Sequence, residues 1–280
     1  MSEKKKVLIT GKGSYIGTSV KSYLLEFPGK YEVEELETKG LVPSVALFEG
    51  YDVVFHTAGI AHIKETEENK HLYYEVNRDL TIKIAELAKV AGVKQFIVLS
   101  SMSVYGLVTG HITKSTEPNP VNAYGKSKLQ ADEFLEQMNC DLFKVSILRP
   151  PMVYGKNCKG NYQTLRSFAI KSPIFPDYKN QRSMIYIGNL CEFVKRVIDN
   201  EASGLFFPQN LEYVCTSEMV RSVAKLHNKK ISQPAIFNAV IHVSPVNVVK
   251  KVFGSLTYEK VDCVDKYNFQ ESIELTEVGD

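Results

Sequence analysis

The chain has 280 residues, 44% of them apolar and 24% charged, with 34 basic against 32 acidic side chains for a formal net charge of +2. That length holds one large domain or two small ones, and the composition is that of an ordinary globular protein. So near-neutral a balance gives no basic field for nucleic acid, and no run approaches the ~18 apolar residues of a membrane span. The five cysteines (Cys140, Cys158, Cys191, Cys215, Cys263) are scattered, with no C-x-x-C pair. They read as reduced thiols, with neither a disulfide framework nor a metal site. The opening Met-Ser-Glu-Lys-Lys-Lys lacks the apolar stretch of a leader peptide, so a cytoplasmic protein is expected.

Lys5–Thr10 reads as a strand, Gly11-Lys-Gly-Ser-Tyr-Ile-Gly17 as a glycine loop, and Ile16 to Leu25 as a helix stopped by Pro28-Gly29. Tyr31–Glu37 reads as a second strand. A glycine loop between strand and helix is the context a dinucleotide fingerprint requires. There the backbone approaches the pyrophosphate and the helix N-terminus offers N–H groups to it. Glu37 closes the second strand and would accept from a ribose 2′-OH, favouring NAD. Lys12 and Lys39 would instead suit the 2′-phosphate of NADP, and Glu37 also fits a solvated Glu34-Glu35-Glu37 run. Tyr51–His56 reads as a third strand followed by a loop of small residues, Thr57–Ala61. His56 reads as structural, with a cofactor contact as the alternative. A helix is expected from Glu65 to Val90, with Asn77 on its apolar side pinning neighbouring backbone.

Lys94–Leu99 is the fourth expected strand, and Ser100–Gly106 leaves its C-terminal end, where sites form in parallel sheets. Leu107–Asn119 reads as a long loop. A helix is expected from Asn122 to about Met138. Tyr124 and Lys128 are four residues apart on it, hence on one face and about 6 Å apart. A phenol acting as a base near neutral pH needs its pKa lowered, and a cation one turn away does that. Gly125 costs this helix about 1 kcal/mol against Ala, which points to close packing there. Phe143–Leu148 is the fifth strand, followed by a helix to Lys171 and an apolar run Arg182–Ile187. Then come a helix capped by Asn189, a strand Gly204–Phe207, a helix Ser217–Leu226, short pieces to Phe253, and a tail from Asp265. Arg149, Arg166 and Arg182 suit phosphate, and Arg182 stands out beside its apolar run.

Five motifs in this order resemble the extended short-chain dehydrogenase/reductases. They are Thr10-Gly-x5-Gly17, Ser101 with Val104-Tyr-Gly106, Tyr124-x3-Lys128, Leu148-Arg-Pro150 with Val153-Tyr-Gly155, and Arg182 with Tyr186-Ile-x-Asn-Leu190. Within that group the chain is most similar to the NAD-dependent epimerase/dehydratase family, typified by UDP-galactose 4-epimerase. The resemblance implies a Rossmann-like doubly wound parallel sheet over 1–150 and a small, mostly helical substrate lobe over 151–280, with 182–207 returning to the sheet. It implies nucleotide-sugar 4-epimerisation through NAD, in polysaccharide biosynthesis. Tyr124 would be the acid/base, Lys128 its partner, and Ser101 the group holding the sugar hydroxyl. Gly11, Gly13, Ser14, Tyr15, Ile16 and Gly17 would line the pyrophosphate, with Ser14 where the family has glycine. Glu37 would meet the adenosine ribose; His56, Ala58, Gly59, Asn77 and Pro151 would flank the cofactor; Asn161 and Arg182 would bind the substrate diphosphate. A homodimer through the helices at 70–90 and 122–139 is also implied. The alternatives are an NADPH-dependent 4-keto sugar nucleotide reductase and a non-catalytic nucleotide sensor.

Overall fold

The computed structural model describes residues 3–61 and 63–278. The chain divides into two compact units. One comprises the chain up to Gly106, Pro118–Pro150 and Cys191–Phe206; the other comprises Leu107–Glu117, Pro151–Leu190 and the chain from Phe207 onward.

The first unit is built on a six-stranded sheet. Its strands are β1 (Lys5–Thr10), β2 (Tyr31–Leu36), β3 (Val53–His56), β4 (Gln95–Leu99), Lys144–Leu148 and Gly204–Phe206, in the spatial order β2-β1-β3-β4 and then the last two. Every ladder is parallel. β3 and β4 are buried along their whole length, as strands covered on both faces must be. Phe96, Val54 and Leu8 of the sheet pack with Ile84, Ala85, Ala88 and Leu135 of the covering helices. From β1 the chain crosses to β2 on one side and then to β3 on the other. Thr10 lies in register with both Leu36 and His56. The loops after β1 and β3 therefore leave the same edge at the point where strand order reverses, which is where open α/β sheets bind ligands.

Helix α1 (Tyr15–Leu25) and the helix Ala123–Met138 begin where the sequence places them, capped by the Ser14 and Asn122 side chains. The helix expected from Glu65 starts at Lys70. The Asn69 side chain accepts from Thr66 N and donates to Lys64 O, and this local bonding competes with helix there. The helical stretch to Val90 contains a π turn, Glu75–Leu80, that carries Asn77.

The second unit has helices Asn161–Lys171, Thr216–Leu226 and Phe269–Glu277, shorter helical pieces and three two-stranded sheets. Four expectations change here. Of 182–207, Gly204–Phe206 joins the six-stranded sheet, whereas Met184–Tyr186 pairs with Met152–Tyr154 in the second unit. The loop Leu107–Asn119 contains a strand, Gly110–Ile112, paired with Leu256–Tyr258. Asn189 does not cap: it is buried inside the helix Ile187–Asp199, where its side chain bonds Asn210 and the Tyr267 backbone. The tail from Asp265 is a helix started by an Asn268–Glu271 capping box.

Candidate active site

The glycine loop is set by contacts a side chain would forbid. Gly11 and Gly13 have φ of 92° and 75°, a region that costs other residues strain. A Cβ on Gly11 would stand 2.6 Å from the Ala58 amide nitrogen, and one on Gly17 would stand 2.5 Å from Ser14 Oγ and 2.8 Å from Thr57 Oγ1. A Cβ on Gly13 would meet nothing within 4 Å: this glycine faces open space. Ser14 spends its hydroxyl internally, accepting from Gly17 N at 3.2 Å and sharing a 2.6 Å bond with Thr57 Oγ1, which donates to Thr10 O. The loops after β1 and β3 are thus stitched together. Tyr15 and Ile16 open α1, at the positive end of its dipole.

The acidic group beside this loop is not Glu37. Glu37 is exposed, and its carboxylate accepts from the amides of Thr38 and Lys39 at 2.8 and 2.9 Å. Glu35 accepts from Gly13 N at 3.4 Å and pairs with Lys21 at 2.8 Å. The Lys21 hydrogen bond holds the Glu35 carboxyl below its ordinary pKa.

His56 is internal. It is 1% exposed, with Nδ1 bonded to Thr10 Oγ1 at 2.7 Å and Nε2 to Thr81 Oγ1 at 3.0 Å. Burial, with Lys128 nearby, pushes its pKa down to about 3, so it is neutral. Both ring nitrogens are thus bonded within the protein, as the structural reading of His56 expects. Asn77 pins the loop after β3: Oδ1 accepts from Ile60 N at 2.8 Å and Nδ2 donates to Ile60 O at 3.0 Å. A Cβ on Gly59 would stand 3.0 Å from Asn77 Oδ1 and 3.4 Å from Lys128 Nζ. The bare loop Ala58-Gly59 therefore lies directly over the lysine.

The Tyr124 helix is seated by its own first turn. Asn122 Oδ1 accepts from Gly125 N, and Glu65 Oε2 from Ala123 N, both at 2.8 Å. A Cβ on Gly125 would stand 2.7 Å from the Ser103 carbonyl and 2.9 Å from Pro120 Cβ, which is the close packing its cost announced. That contact seats the Tyr124 helix against the turn after β4, which also carries Ser101, whose hydroxyl donates to Ser103 Oγ at 3.1 Å. The Tyr73 ring meets Tyr124 edge-on at 6.2 Å. Lys128 is 6% exposed and donates to Leu99 O at 2.7 Å. Its pKa falls from 10.5 to about 8 because burial disfavours the ammonium. The phenol does not show the expected depression by Lys128. Burial raises its pKa, with Ser101 pulling against that, while the ammonium is turned to a carbonyl.

Several of these features fit a dinucleotide: a glycine face left open, a helix N-terminus, a loop with no bulk over the lysine, and a buried amine. A model described as the NAD dependent epimerase/dehydratase family matches residues 7–206. The chain belongs to the NAD-dependent epimerase/dehydratase family. It is similar to the UDP-glucose 4-epimerase of Vibrio cholerae, at 32% identity over 94% of this chain and 85% of that one. It is also similar to the N-acetyl-α-D-glucosaminyl-diphospho-ditrans,octacis-undecaprenol 4-epimerase of Escherichia coli O157:H7, at 32% identity over 65% of this chain and 56% of that one. In fold it is similar to the UDP-glucuronic acid 4-epimerase of Bacillus cereus solved with NAD, with a TM-score of 0.77 at 18% identity over 98% and 96% of the chains. The expected family, Rossmann-like fold, enzyme class and NAD cofactor all hold.

In this epimerase/dehydratase chain, Pro151, Asn161 and Arg182 lie in the second unit. Pro151 is buried; Asn161 is the exposed first residue of its helix. Arg182 is not a free cation: Nη1 donates to Gly254 O at 2.8 Å, its backbone bridges Val214, and burial lowers its pKa. Among the described residues no group of three or more His, Cys, Asp or Glu is placed to hold a metal ion, and no disulfide joins the five cysteines.

Sequence reasoning missed what lies under the lysine. Asp132 Oδ2 accepts from Ser100 Oγ at 2.7 Å and Arg149 Nε at 2.9 Å, and Arg149 Nη1 donates to Tyr105 OH at 2.8 Å. Burial pushes the Asp132 pKa up, against Arg149, Ser100 and Lys128. The signal was present, since Tyr124, Lys128 and Asp132 recur every fourth residue on one helical face. Arg149, read as suited to phosphate, is 6% exposed and paired with Asp132.

Proposed function

We propose that this chain is a nucleotide-sugar 4-epimerase, using NAD to invert C4 of a UDP-hexose or UDP-N-acetylhexosamine. The observation that carries the reading is the placement of Tyr124 one helical turn from the buried Lys128 at the edge of the sheet, with a bare glycine loop over the lysine and Ser101 on the turn after β4. When bound, the nicotinamide supplies a hydride acceptor and donor for C4. Gly11, Gly13, Ser14, Tyr15, Ile16 and Gly17 would hold its pyrophosphate, with Ala58, Gly59, Asn77 and Pro151 flanking the rest. Tyr124 takes the C4 hydroxyl proton and later gives it back. Ser101 holds that hydroxyl and stabilises the phenolate by donating to it. Lys128, costly to keep charged in its buried position, gains a countercharge when the phenolate forms. Asn161 and Arg182 would meet the substrate diphosphate. The reading includes a cytoplasmic homodimer acting in polysaccharide biosynthesis; the helices at 70–90 and 123–138 expose Leu72, Val90 and Phe134.

The test is to purify the protein, identify the released nucleotide by mass spectrometry, and follow interconversion of UDP-glucose with UDP-galactose and of their N-acetyl forms. One arm should contain the undecaprenyl diphospho-sugar named for the E. coli relative. Retained NAD and interconversion are expected, with Tyr124→Phe keeping the cofactor and losing turnover. Full activity in that variant would remove Tyr124 from its role. A second reading, single reduction of a 4-keto sugar nucleotide by NADPH, is favoured by one observation. Lys12 is exposed in the glycine loop while Glu37 is bonded to its own turn. Stoichiometric NADPH consumption would decide for it.

A further inference from the structure

The second unit carries a surface that the proposed reaction does not use. Residues 235–253 fold as short helical pieces, Ala235–Phe237, Asn238–Val243 and Asn247–Phe253. Ile236 is 81% exposed, Val240 68%, Val243 77% and Val248 68%, with Phe237 at 44% and Val246 at 53%. Scattered exposed apolar side chains are ordinary, but six within one thirteen-residue stretch, separated only by Asn238, His242, Ser244, Asn247 and a few small or apolar residues, are a concentration. The run is held at its ends. Asn238 Nδ2 donates to Asp177 O at 3.0 Å, and the Phe253 ring packs 5.4 Å from Phe175.

The charge along this part of the chain is one-sided. From Met219 to Tyr258 there is no Asp or Glu, while Arg221, Lys225, Lys229, Lys230, Lys250 and Lys251 all occur, and all six are exposed. The chain as a whole is near balance, so this stretch stands apart. Glu218 and Glu259 border the stretch, and Asp177, whose backbone oxygen accepts from Asn238, is paired with Arg221 at 3.0 Å. A second copy of the surface would match the aliphatics but set lysines against lysines. An acidic protein face would match the lysines and leave the aliphatics wet. An anionic bilayer offers both partners at once, phosphate headgroups and acyl chains.

We propose that the segment Ile236–Lys251 seats this protein on the surface of an anionic lipid membrane, with the aliphatic side chains entering the headgroup boundary and the lysines meeting lipid phosphates. No described helix is long and apolar enough to cross a membrane, so the association is peripheral. It goes beyond the proposed reaction and does not depend on it.

The experiment is co-sedimentation of the full chain with phosphatidylcholine vesicles, with and without phosphatidylglycerol, at low and high salt. Binding is expected to vesicles containing phosphatidylglycerol and to weaken at high salt. Lys250→Glu with Lys251→Glu should weaken the partition at least about 25-fold, at about five-fold per lysine. Val240→Ser, Val243→Ser and Val248→Ser together should abolish it. Circular dichroism checks that each variant folds, which these exposed positions should allow. The proposal is overturned if the anionic vesicles leave the protein in solution or if both variants bind as the parent does. It is equally overturned if the serine variant alters the oligomeric mass by light scattering instead of lipid binding.

Discussion

Lys128→Met should make the protein more stable and inactive at once. Lys128 is 6% exposed, and burial brings its pKa from 10.5 to about 8. At about 1.4 kcal/mol per tenfold change in proton affinity, the buried ammonium costs about 3 kcal/mol at neutral pH. Methionine keeps the apolar stem and removes the charge. It also loses the hydrogen bond to Leu99 O at 2.7 Å, which is worth about 1 kcal/mol. Asp132 keeps Arg149 and Ser100 as partners. The net gain near pH 7 is about 2 kcal/mol, or about 4–8 °C in Tm for a chain of this class. The sign with pH follows from linkage. Because the folded pKa is the lower one, the unfolded chain binds the extra proton between about pH 8 and 10.5. The parent's penalty is therefore complete below pH 8 and fades as pH rises to 10.5, and the variant's advantage fades with it. Thermal melts of both proteins from pH 7 to 10.5, beside turnover at pH 7.5, measure this. A variant less stable than the parent at pH 7, or a difference that does not change across that window, would refute the reasoning.

Three further outcomes follow from buried contacts. Asp132→Asn leaves Arg149 buried without its countercharge and should cost about 3–5 kcal/mol in urea unfolding, whereas Asp132→Leu with Arg149→Met should recover most of that. A cost below about 1 kcal/mol for the single change would contradict the pairing. Gly125→Ala puts a methyl 2.7 Å from the Ser103 carbonyl, so stability should fall by about 1–3 kcal/mol and turnover should fall with it as the Ser101 turn is displaced. Glu277 is held by Tyr162 OH, Arg166 Nε and His227 Nε2, at 2.7, 2.7 and 2.5 Å. Burial pushes its carboxyl up, but bonds from His227, Tyr162 and Arg166 together hold it below its ordinary pKa. The stability it contributes is present above the ordinary carboxylate pKa and is lost as pH falls through the folded value. Glu277→Gln should cost about 2 kcal/mol at pH 7, raise hydrogen exchange across Phe269–Glu277, and remove that acid-sensitive component.

The first unit was legible because its signals are local. Most strands of the sheet are apolar runs ended by a turn, β2 with its three glutamates being the exception, and the residues that matter at the sheet edge sit at fixed offsets from those ends. Gly125 announced a close contact through its cost alone, and Asn77 announced its role as an amide on an apolar face. The second unit was less legible because its short strands find partners far along the chain. Nothing near Gly110–Ile112 points to Leu256–Tyr258. The Asn268–Glu271 box was readable and passed over, since the helix it starts is only 9 residues long. Glu37 and Glu35 show another limit. Period and spacing put a carboxylate at the end of β2, but which one turns to the glycine loop depends on Lys21 and on the amides after Leu36. Lys128's effect on Tyr124 was inferred from spacing, but in the chain by itself burial raises the phenol's pKa and the ammonium donates to Leu99 O instead.

The most direct test of the account follows one atom. Purified protein, with no cofactor added, is given UDP-glucose or UDP-N-acetylglucosamine carrying deuterium at C4, and the product is read by NMR and mass spectrometry. The account predicts the C4 epimer with its deuterium retained, formed by the parent and not by Tyr124→Phe. Absence of epimer with every sugar, or product only when NADPH is supplied and consumed, would contradict it.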